Sequence, residues 1–253
     1  MRFKVKLSQV EPKKEAKISI DYRRRFISLL KKIFGERFNE ASVKPYTFAV
    51  YFGKNAKFSN DFITVVDPIT FRFSTGDEEV AIVFYNGIIR LKKEGYLHDL
   101  SPNSEHGAFF RIEKIALEKE PPLKNKFKTL SPVVIERKTD SKSPLERYAI
   151  PGDSDFDKWL VENLQRRISI LFTKPIPFTE VYLEPISIEE VFVKHYGGYV
   201  RGFLGVFNLH TDHPEILKFV YQYGLGVRTG QGFGYLEVVL RFLITNFFML
   251  KLR

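Results

Sequence analysis

The sequence predicts an α+β protein built from two tandem ferredoxin-like (RRM-like) units, each with the element order βαββαβ. Two features of the 253-residue chain lead to this prediction. Runs of alternating apolar and polar residues, typical of half-buried strands, are interspersed with runs whose apolar residues recur three and four positions apart, typical of helices. The same order of runs occurs on both sides of Pro121 and Pro122. We therefore expect one unit at residues 1–120, a second at 121–238, and a tail of unknown role at 239–253.

The first half predicts strands and helices in the order of a complete unit. Asp21 can cap the first helix and Gly35 can end it. In chain order the segments are the strand RFKVKL, the helix DYRRRFISLLKKIFGE, the strand PYTFAVYFG, the extended segments NDFITVVD and ITFRFSTGD, the helix DEEVAIVFYNGIIRLKKEG and the strand GAFFRIEKIALEKE.

The second half predicts the same plan, although no residue-level repeat links the two halves. Asp212 can cap its second helix, in which Pro214 sits early enough to be tolerated, and Gly224 can close that helix. The segments are the strand FKTLSPVVIERK, the helix SDFDKWLVENLQRRISILF, the strands VYLEPISIEEVFVKHYGG and YVRGFLGVFNLHT, the helix HPEILKFVYQYG and the strand YLEVVLRF.

The charge balance indicates an anionic partner. Forty Lys and Arg residues against thirty Asp and Glu residues give a formal net charge of +10, and nucleic acid is the commonest partner of such a surface. A surface of the kind found in thermophilic proteins, crowded with Lys and Glu, is the alternative explanation.

Several classes of site and location are not expected. Without cysteine the chain has no disulfide, thiolate zinc site or cysteine nucleophile, and its five histidines show no ligand set for a metal. No cofactor is expected. The start of the chain lacks a cleavable signal pattern, and the terminal RFLITNFFMLKLR is too short and too interrupted to span a membrane. The sequence therefore predicts a cytoplasmic protein without a membrane partner.

A glycine-rich segment, GLGVRTGQGFG at residues 224–234, is the most unusual motif. It follows a predicted helix and precedes a strand, the reverse of a dinucleotide-binding loop, and it lacks the Lys–Ser/Thr ending of a Walker A loop. Its glycines permit positive φ and expose backbone N–H groups, and Arg228 can form charge-assisted bonds to phosphate. Exposed N–H groups together with an arginine are suited to binding the sugar-phosphate backbone of a nucleic acid. A long turn between helix and strand is the alternative.

A basic stripe on the first helix indicates a second contact with phosphate. Arg23, Arg24 and Arg25 crowd the positive end of the helix dipole, which disfavours the helix unless an anion neutralises them. Lys31 and Lys32 extend the stripe. A solvated helix start is the alternative.

Four segments resemble the CRISPR-associated repeat-RNA processing endoribonucleases of the RAMP superfamily: MRFKVKL, KPYTFAVYF, TLSPVVI and GLGVRTGQGFGYLEV. The resemblance spans about residues 1–238, and its most specific part is the glycine-rich segment before the last strand. It implies that the chain binds CRISPR repeat RNA and cuts it once per repeat without metal. In this reaction a 2′-hydroxyl attacks the neighbouring phosphate and leaves a 2′,3′-cyclic phosphate, so the chain would act as an antiviral-defence nuclease that produces guide RNA. A monomer or homodimer, with CRISPR effector proteins as possible partners, fits this expectation.

The resemblance also assigns site residues. Catalysis falls to Lys44, with Lys31 and Tyr46 nearby, although a core role for Tyr46 is an equal alternative. The expected RNA contacts are Arg23, Arg24, Arg25, Lys32, Gly224, Gly226, Arg228, Thr229, Gly230, Gln231, Gly232 and Gly234.

One position departs from the family. Many members carry a histidine after the first helix, where this chain has, by register, Asn39 or a neighbour of it, and an amide cannot accept a proton near neutral pH. Three interpretations stay open: a protein that binds RNA without cutting it, an enzyme that relies on Lys44 and the helix cations, or an engineered replacement of the histidine. Some relatives lack the histidine and still cut. An RNA-binding subunit of a CRISPR effector complex, which shares the superfamily fold, is a further alternative.

Overall fold

A computed structural model describes residues 1–11, 15–39, 43–102, 107–174 and 176–240. The tail predicted at 239–253 therefore lies outside the described residues from position 241 onward. The predicted α+β class is confirmed: two antiparallel sheets, each covered by two long helices, follow one another along the chain.

The first unit is a five-stranded sheet of order β3-β6-β1-β8-β7 with two helices. The order of its first four strands is that of a ferredoxin-like βαββαβ unit. Its elements are β1 (Arg2–Gln9), β2 (Ala16–Ser19), α1 (Tyr22–Phe34), β3 (Thr47–Tyr51), β4 (Lys57–Phe58), β5 (Phe62–Val65), β6 (Ile69–Ser74), α2 (Glu78–Lys93), β7 (Leu97–Asp99) and β8 (Phe109–Leu117). A 3₁₀ turn, Gly35–Asn39, follows α1.

The segment after β1, expected to be a polar connection, contains a strand instead. Strand β2 pairs with β5, and β5 pairs with β4, in a separate three-stranded sheet. Ile18, Ile63 and Val65 are fully buried there. Only four residues of β2 are extended, so its alternation is too short to stand out in the sequence.

The second unit repeats the plan with a four-stranded sheet of order β12-β13-β9-β14. Its elements are β9 (Lys126–Thr129), β10 (Ile135–Glu136), α3 (Pro144–Arg147), β11 (Tyr148–Ala149), α4 (Phe156–Leu171), β12 (Val181–His195), β13 (Gly198–Thr211), α5 (Pro214–Tyr223) and β14 (Leu236–Val238). The predicted strand FKTLSPVVIERK is divided into β9 and β10. The division falls around Pro132, which has no N–H for a sheet.

Two predicted helix caps are wrong. Asp21 and Asp212 stand at or beside the first turns of α1 and α5, but neither helix has a side-chain cap. The Asp212 carboxylate accepts hydrogen bonds from the backbone and hydroxyl of Thr179 instead, at 2.9 and 2.7 Å. The Asp21 carboxylate is directed to the second unit, as described below. Both carboxylates thus accept hydrogen bonds from residues distant in the sequence instead of capping their helices.

Each unit has its own core, and a buried arginine links the two. The Arg2 guanidinium lies 3.6 Å from the centre of the Tyr221 ring. It also donates to the carbonyls of Tyr221 and Leu236 at 2.7 and 2.5 Å. Since Arg2 belongs to β1 and its partners to the second unit, this contact fixes the two units side by side. No helix in the described part of the chain has the length and apolar character needed to cross a membrane.

Candidate nucleic-acid interface

A groove runs between the two units. It consists of two adjoining clefts of about 410 and 380 Å³, which share Ile27, Lys31 and Tyr196. One wall is helix α1, the opposite wall is the tip of the β12–β13 hairpin, and the floor at one end is the glycine-rich loop, residues 224–234. The groove therefore exists only when both units are in place.

Positive charge dominates the lining of the groove. The basic residues that line it are Arg24, Arg25, Lys31, Lys44, Arg166, Arg167 and Arg228. Asp21 is the acidic residue among the lining residues, and Arg166 is 3.5 Å from Glu136 in an ion pair outside the lining. Cations converging from α1, α4 and the glycine-rich loop give a concave surface that attracts a polyanion.

The glycine-rich loop is buried, contrary to the expectation that its backbone lies open to RNA. Apart from Arg228 and Gln231, its residues are buried between the two units. A Cβ on Gly226 would lie 2.2 Å from the Val134 carbonyl oxygen, and one on Gly232 would lie 2.5 Å from the Phe48 ring. Both glycines also have positive φ. The glycines therefore permit the loop backbone to pack closely against both units.

Several loop N–H groups are also engaged within the chain. The N–H of Gly232 donates to the Thr229 carbonyl at 3.1 Å, and that of Gly234 donates to the Pro132 carbonyl at 2.8 Å. The side chains of Arg228 and Gln231, which are half-exposed, are therefore better placed for a contact with RNA than the backbone N–H groups of the loop.

A fully enclosed arginine from α4 holds the loop in shape. Arg167 is 3% exposed, and its guanidinium donates to the carbonyls of Tyr223, Gly224 and Gly226 at 2.9, 2.6 and 2.9 Å. It also donates to the Thr229 hydroxyl at 3.1 Å. Burial lowers the pKa of Arg167. Because one guanidinium donates to four acceptors, it fixes the relative positions of these backbone segments.

Arg228 projects from this loop into the groove. Its backbone is left-handed, with φ 58°. Its guanidinium donates to the Tyr148 hydroxyl at 3.1 Å and to Gln231 Oε1 at 3.3 Å. These two bonds orient the guanidinium and leave further N–H donors for a phosphate.

A histidine clasp joins the two units beside the groove. His195, at the end of β12, places Nδ1 3.3 Å from Asp21 Oδ1 and Nε2 3.1 Å from Gln231 Oε1. The N–H of Tyr196 donates to Asp21 Oδ2 at 3.2 Å. Burial lowers the pKa of His195, while its bonds to Gln231 and Asp21 oppose that shift. The clasp fixes the hairpin tip against the start of α1.

The three arginines at the start of α1 have different surroundings. Arg24 lines the groove. Arg25 lines it too, and also donates to the Ser101 carbonyl at 2.8 Å. Arg23 is buried, and its Nε donates to the Gly232 carbonyl at 3.2 Å. The prediction of Arg23 as an RNA contact is therefore corrected. This buried arginine instead stabilises the glycine-rich loop through its hydrogen bond to Gly232.

Lys32 is exposed on α1, and its predicted contact with RNA stays a prediction. Its ammonium is 5.5 Å from the centre of the Tyr96 ring, and it is not among the lining residues of either cleft. One helical step separates Lys31 from Lys32, which turns the two side chains to different faces of α1.

Lys44 lies where the glycine-rich loop meets the first unit. It lines the larger cleft, and a Cβ on Gly230 would stand 2.6 Å from its Cβ. Asn39 is exposed at the end of the 3₁₀ turn after α1, and the next residues, 40–42, lie outside the described part of the chain. Lys31 joins Lys44 in the lining of the larger cleft.

Tyr46 belongs to the core. It is 3% exposed and its ring stacks on Phe34 at 5.4 Å between centroids. Its buried hydroxyl has no hydrogen-bond partner among the described residues. Burial raises the pKa of this hydroxyl above its ordinary value. These facts favour the core alternative for Tyr46.

We therefore expect Tyr46→Phe to leave RNA cleavage within about twofold of the wild-type rate, since loss of an unsatisfied buried hydroxyl is close to neutral. Single-turnover cleavage of repeat RNA and a thermal melt measure the two effects. A tenfold or larger loss of rate at unchanged melting temperature would restore Tyr46 to the catalytic set.

A family model matches the second unit. Residues 118–238 match the family described as CRISPR associated protein Cas6, C-terminal. The second unit is therefore similar to the carboxy-terminal part of Cas6 proteins. The resemblance that the sequence indicates, to the CRISPR-associated repeat-RNA processing proteins of the RAMP superfamily, is thus confirmed.

Solved structures share the fold of the whole chain. One is of a protein from a Cas6-related gene of Pyrococcus furiosus, with 20% identity, coverage of 95% of this chain and 99% of that one, and a TM-score of 0.79. Another is described as a RAMP protein binding different RNA substrates, with 21% identity, 95% and 100% coverage, and a TM-score of 0.79. A third, a CRISPR associated protein Cas6, is 18% identical with a TM-score of 0.75 and coverage of 95% and 99%. No curated protein matches the chain.

Sequence reasoning missed four residues of the groove: Arg166, Arg167, His195 and Tyr196. Arg166 and Arg167 are adjacent on α4, yet one is exposed and the other is enclosed. The signal that could have found this division is the apolar spacing of the helix, because Arg167 follows Leu164 by three positions and Leu160 by seven and so lies on the buried face. Tyr196 and Gly197, between two long strands, were a visible turn signal. Nothing in the sequence indicated what that turn would touch.

Proposed function

We propose that this chain binds CRISPR repeat RNA in the groove between its two units and cleaves it once per repeat, without metal. The observation that carries the proposal is the convergence of Lys31, Lys44 and Arg228 on one cleft of about 410 Å³, in a chain whose second unit is similar to the carboxy-terminal part of Cas6 proteins. A 2′-hydroxyl of the RNA attacks the adjacent phosphorus, and the 5′-oxygen of the next nucleotide leaves. The products are a 2′,3′-cyclic phosphate and a 5′-hydroxyl.

Positioning and positive charge are the contributions that the cleft makes to this reaction. Holding the 2′-hydroxyl in line with the leaving oxygen removes much of the entropic barrier. Negative charge accumulates on the phosphorane oxygens in the transition state, and oriented cations stabilise it. Lys44 is assigned the contact nearest the scissile phosphate, and Arg228, oriented by Tyr148 and Gln231, the contact with a flanking phosphate.

His195, beside the groove, is not placed to act as a general base for this reaction. Both ring nitrogens of His195 face protein acceptors, and its side chain is 1% exposed. Asn39 supplies no basic group. The mechanism therefore relies on the geometry imposed on the RNA and on the cations more than on a general base.

A protein that binds RNA without cutting it is the second candidate. The absence of the usual histidine near Asn39 favours it, and one structural neighbour is described only as binding different RNA substrates. A non-catalytic protein would use the same groove cations. The two candidates therefore differ in the product, not in the binding surface.

A cleavage assay distinguishes them. The purified protein is mixed with end-labelled repeat RNA from the genome that encodes it, in excess EDTA. The same RNA with a 2′-deoxy substitution at the scissile nucleotide is run in parallel. We expect one product ending in a cyclic phosphate, and none from the deoxy RNA. Binding without product would establish the non-cutting alternative, and absence of binding would refute both.

A further inference from the structure

We propose that Tyr196 is a stacking platform for one unpaired base, so that the RNA lies in the groove as a single strand at this point. This inference rests on the proposed RNA binding and specifies the form of RNA that the groove accepts. Four observations support it: the exposure of the ring, its place in the groove, the backbone conformation of the turn and the neighbouring arginine.

The Tyr196 ring is exposed inside the groove. It is 55% exposed and lines both clefts, so it stands where they adjoin. A large exposed aromatic side chain in a cationic groove has a free π-face for a nucleobase. A base in a duplex is already stacked on both faces, whereas an unpaired base is free to stack on a side chain.

The turn that carries Tyr196 is not suited to tyrosine. Tyr196 and Gly197 form the two-residue connection between β12 and β13, with φ of 51° and 79°. Such a turn needs positive φ at both positions, and asparagine followed by glycine is the favoured pair. A tyrosine in this conformation is strained. Local folding therefore does not account for the choice of tyrosine, and strained residues of this kind cluster at functional sites.

The backbone that carries the ring is also held in place. The backbone N–H of Tyr196 donates to Asp21 Oδ2 at 3.2 Å, and the adjacent His195 is buried against Asp21 and Gln231. The His195 ring meets the Tyr196 ring edge-on at 4.6 Å between centroids. A platform fixed before binding loses little conformational entropy when a base stacks on it.

Arg24 completes the arrangement. Its guanidinium lies 5.0 Å from the centre of the Tyr196 ring, and its side chain is 57% exposed. An arginine beside an aromatic platform contacts the phosphate of the nucleotide whose base is stacked. Tyr196 and Arg24 therefore bind one nucleotide together, with Lys31 on the same wall for the next phosphate.

Tyr196→Asn is the variant that tests the platform, because asparagine suits the turn and only the ring is lost. Its melting temperature is expected to equal or exceed that of the wild type. Its affinity for the repeat RNA is expected to fall about tenfold, since one base–aromatic stack contributes roughly that factor. Tyr196→Phe keeps the ring and should bind within about twofold of the wild type.

Tyr199→Asn is the matched control. Tyr199 belongs to the same hairpin, is 58% exposed and does not line either cleft. Its replacement is expected to leave RNA affinity unchanged. A loss equal to that of Tyr196→Asn would show that the hairpin responds to any such substitution and would overturn the proposal.

Repeat RNAs with a single abasic nucleotide identify the stacked base. At one position, removing the base should weaken binding by the wild type about tenfold and abolish the difference between wild type and Tyr196→Asn. If Tyr196→Asn binds intact RNA as well as the wild type does, or if its deficit persists with every abasic RNA, the platform is refuted while RNA binding by the groove stands. If the wild type does not bind repeat RNA at all, the proposed function falls and the platform with it.

Discussion

Replacing Arg167 with alanine is expected to reduce the free energy of unfolding by at least about 3 kcal/mol and to abolish binding of repeat RNA. The guanidinium serves three carbonyls and one hydroxyl in the glycine-rich loop. Without it these buried acceptors lose their donor, at a cost of about 1–3 kcal/mol each when none is replaced by water. For a chain of this size, such a loss lowers the melting temperature by roughly 6–12 °C. Thermal melts and RNA titrations measure the two effects.

Arg166→Ala is the matched control, one position earlier on the same helix. The Arg166 side chain is 55% exposed, lines the larger cleft and pairs with Glu136 at 3.5 Å. Its loss should change stability by less than about 1 kcal/mol, because exposed ion pairs contribute little, and should weaken RNA binding moderately. Equal melting temperatures for the two variants would show that Arg167 does not hold the loop.

Replacing Lys44 with alanine is expected to slow single-turnover cleavage about 100- to 1000-fold, the usual cost of removing one group that stabilises transition-state charge. The affinity for RNA is expected to fall less than about fivefold, as for the loss of one exposed ion pair. Chemical quench of pre-bound, end-labelled RNA measures the rate, and filter binding measures the affinity. Lys158→Ala, on the exposed side of α4, is the control for a simple loss of one positive charge.

Arg228→Ala should behave differently from Lys44→Ala. Arg228 is assigned a phosphate contact, and its guanidinium is oriented by Tyr148 and Gln231. We expect binding and cleavage to decline together in this variant. If Lys44→Ala instead loses affinity and rate in the same proportion, Lys44 is a binding residue and the cleavage mechanism proposed here is wrong.

Much of the fold could be predicted because it depends on local patterns. The apolar spacing of α1, α2 and α4 and the alternation in β1 and β8 follow from which face each element buries. The short strands β2 and β4 escaped prediction, since two to four extended residues carry too little alternation. The caps assigned to Asp21 and Asp212 failed because distant donors compete for the same carboxylates.

The candidate site could be predicted only in part. Arg24, Lys31, Lys44 and Arg228 do line one groove. Arg23, equally basic in the sequence, is enclosed beneath the glycine-rich loop. Whether a single side chain is buried depends on which elements pack over it. The pattern of residues around Arg23 does not indicate that the glycine-rich loop packs there. Tyr196 was missed for the same reason, whereas the apolar spacing of α4 does place Arg167 on the buried face of that helix.

The sequence alone determined the fold class and the excess of positive charge, because each depends on local composition and periodicity, and the glycine-rich segment carried the resemblance to a known family. Only the tertiary structure decided what the glycines do. They are buried in contact with both units, and the groove cations come from elements far apart in the chain. The physical reason is that the groove forms only where the two units pack together. Its lining residues are distant in the sequence, so no local pattern relates them.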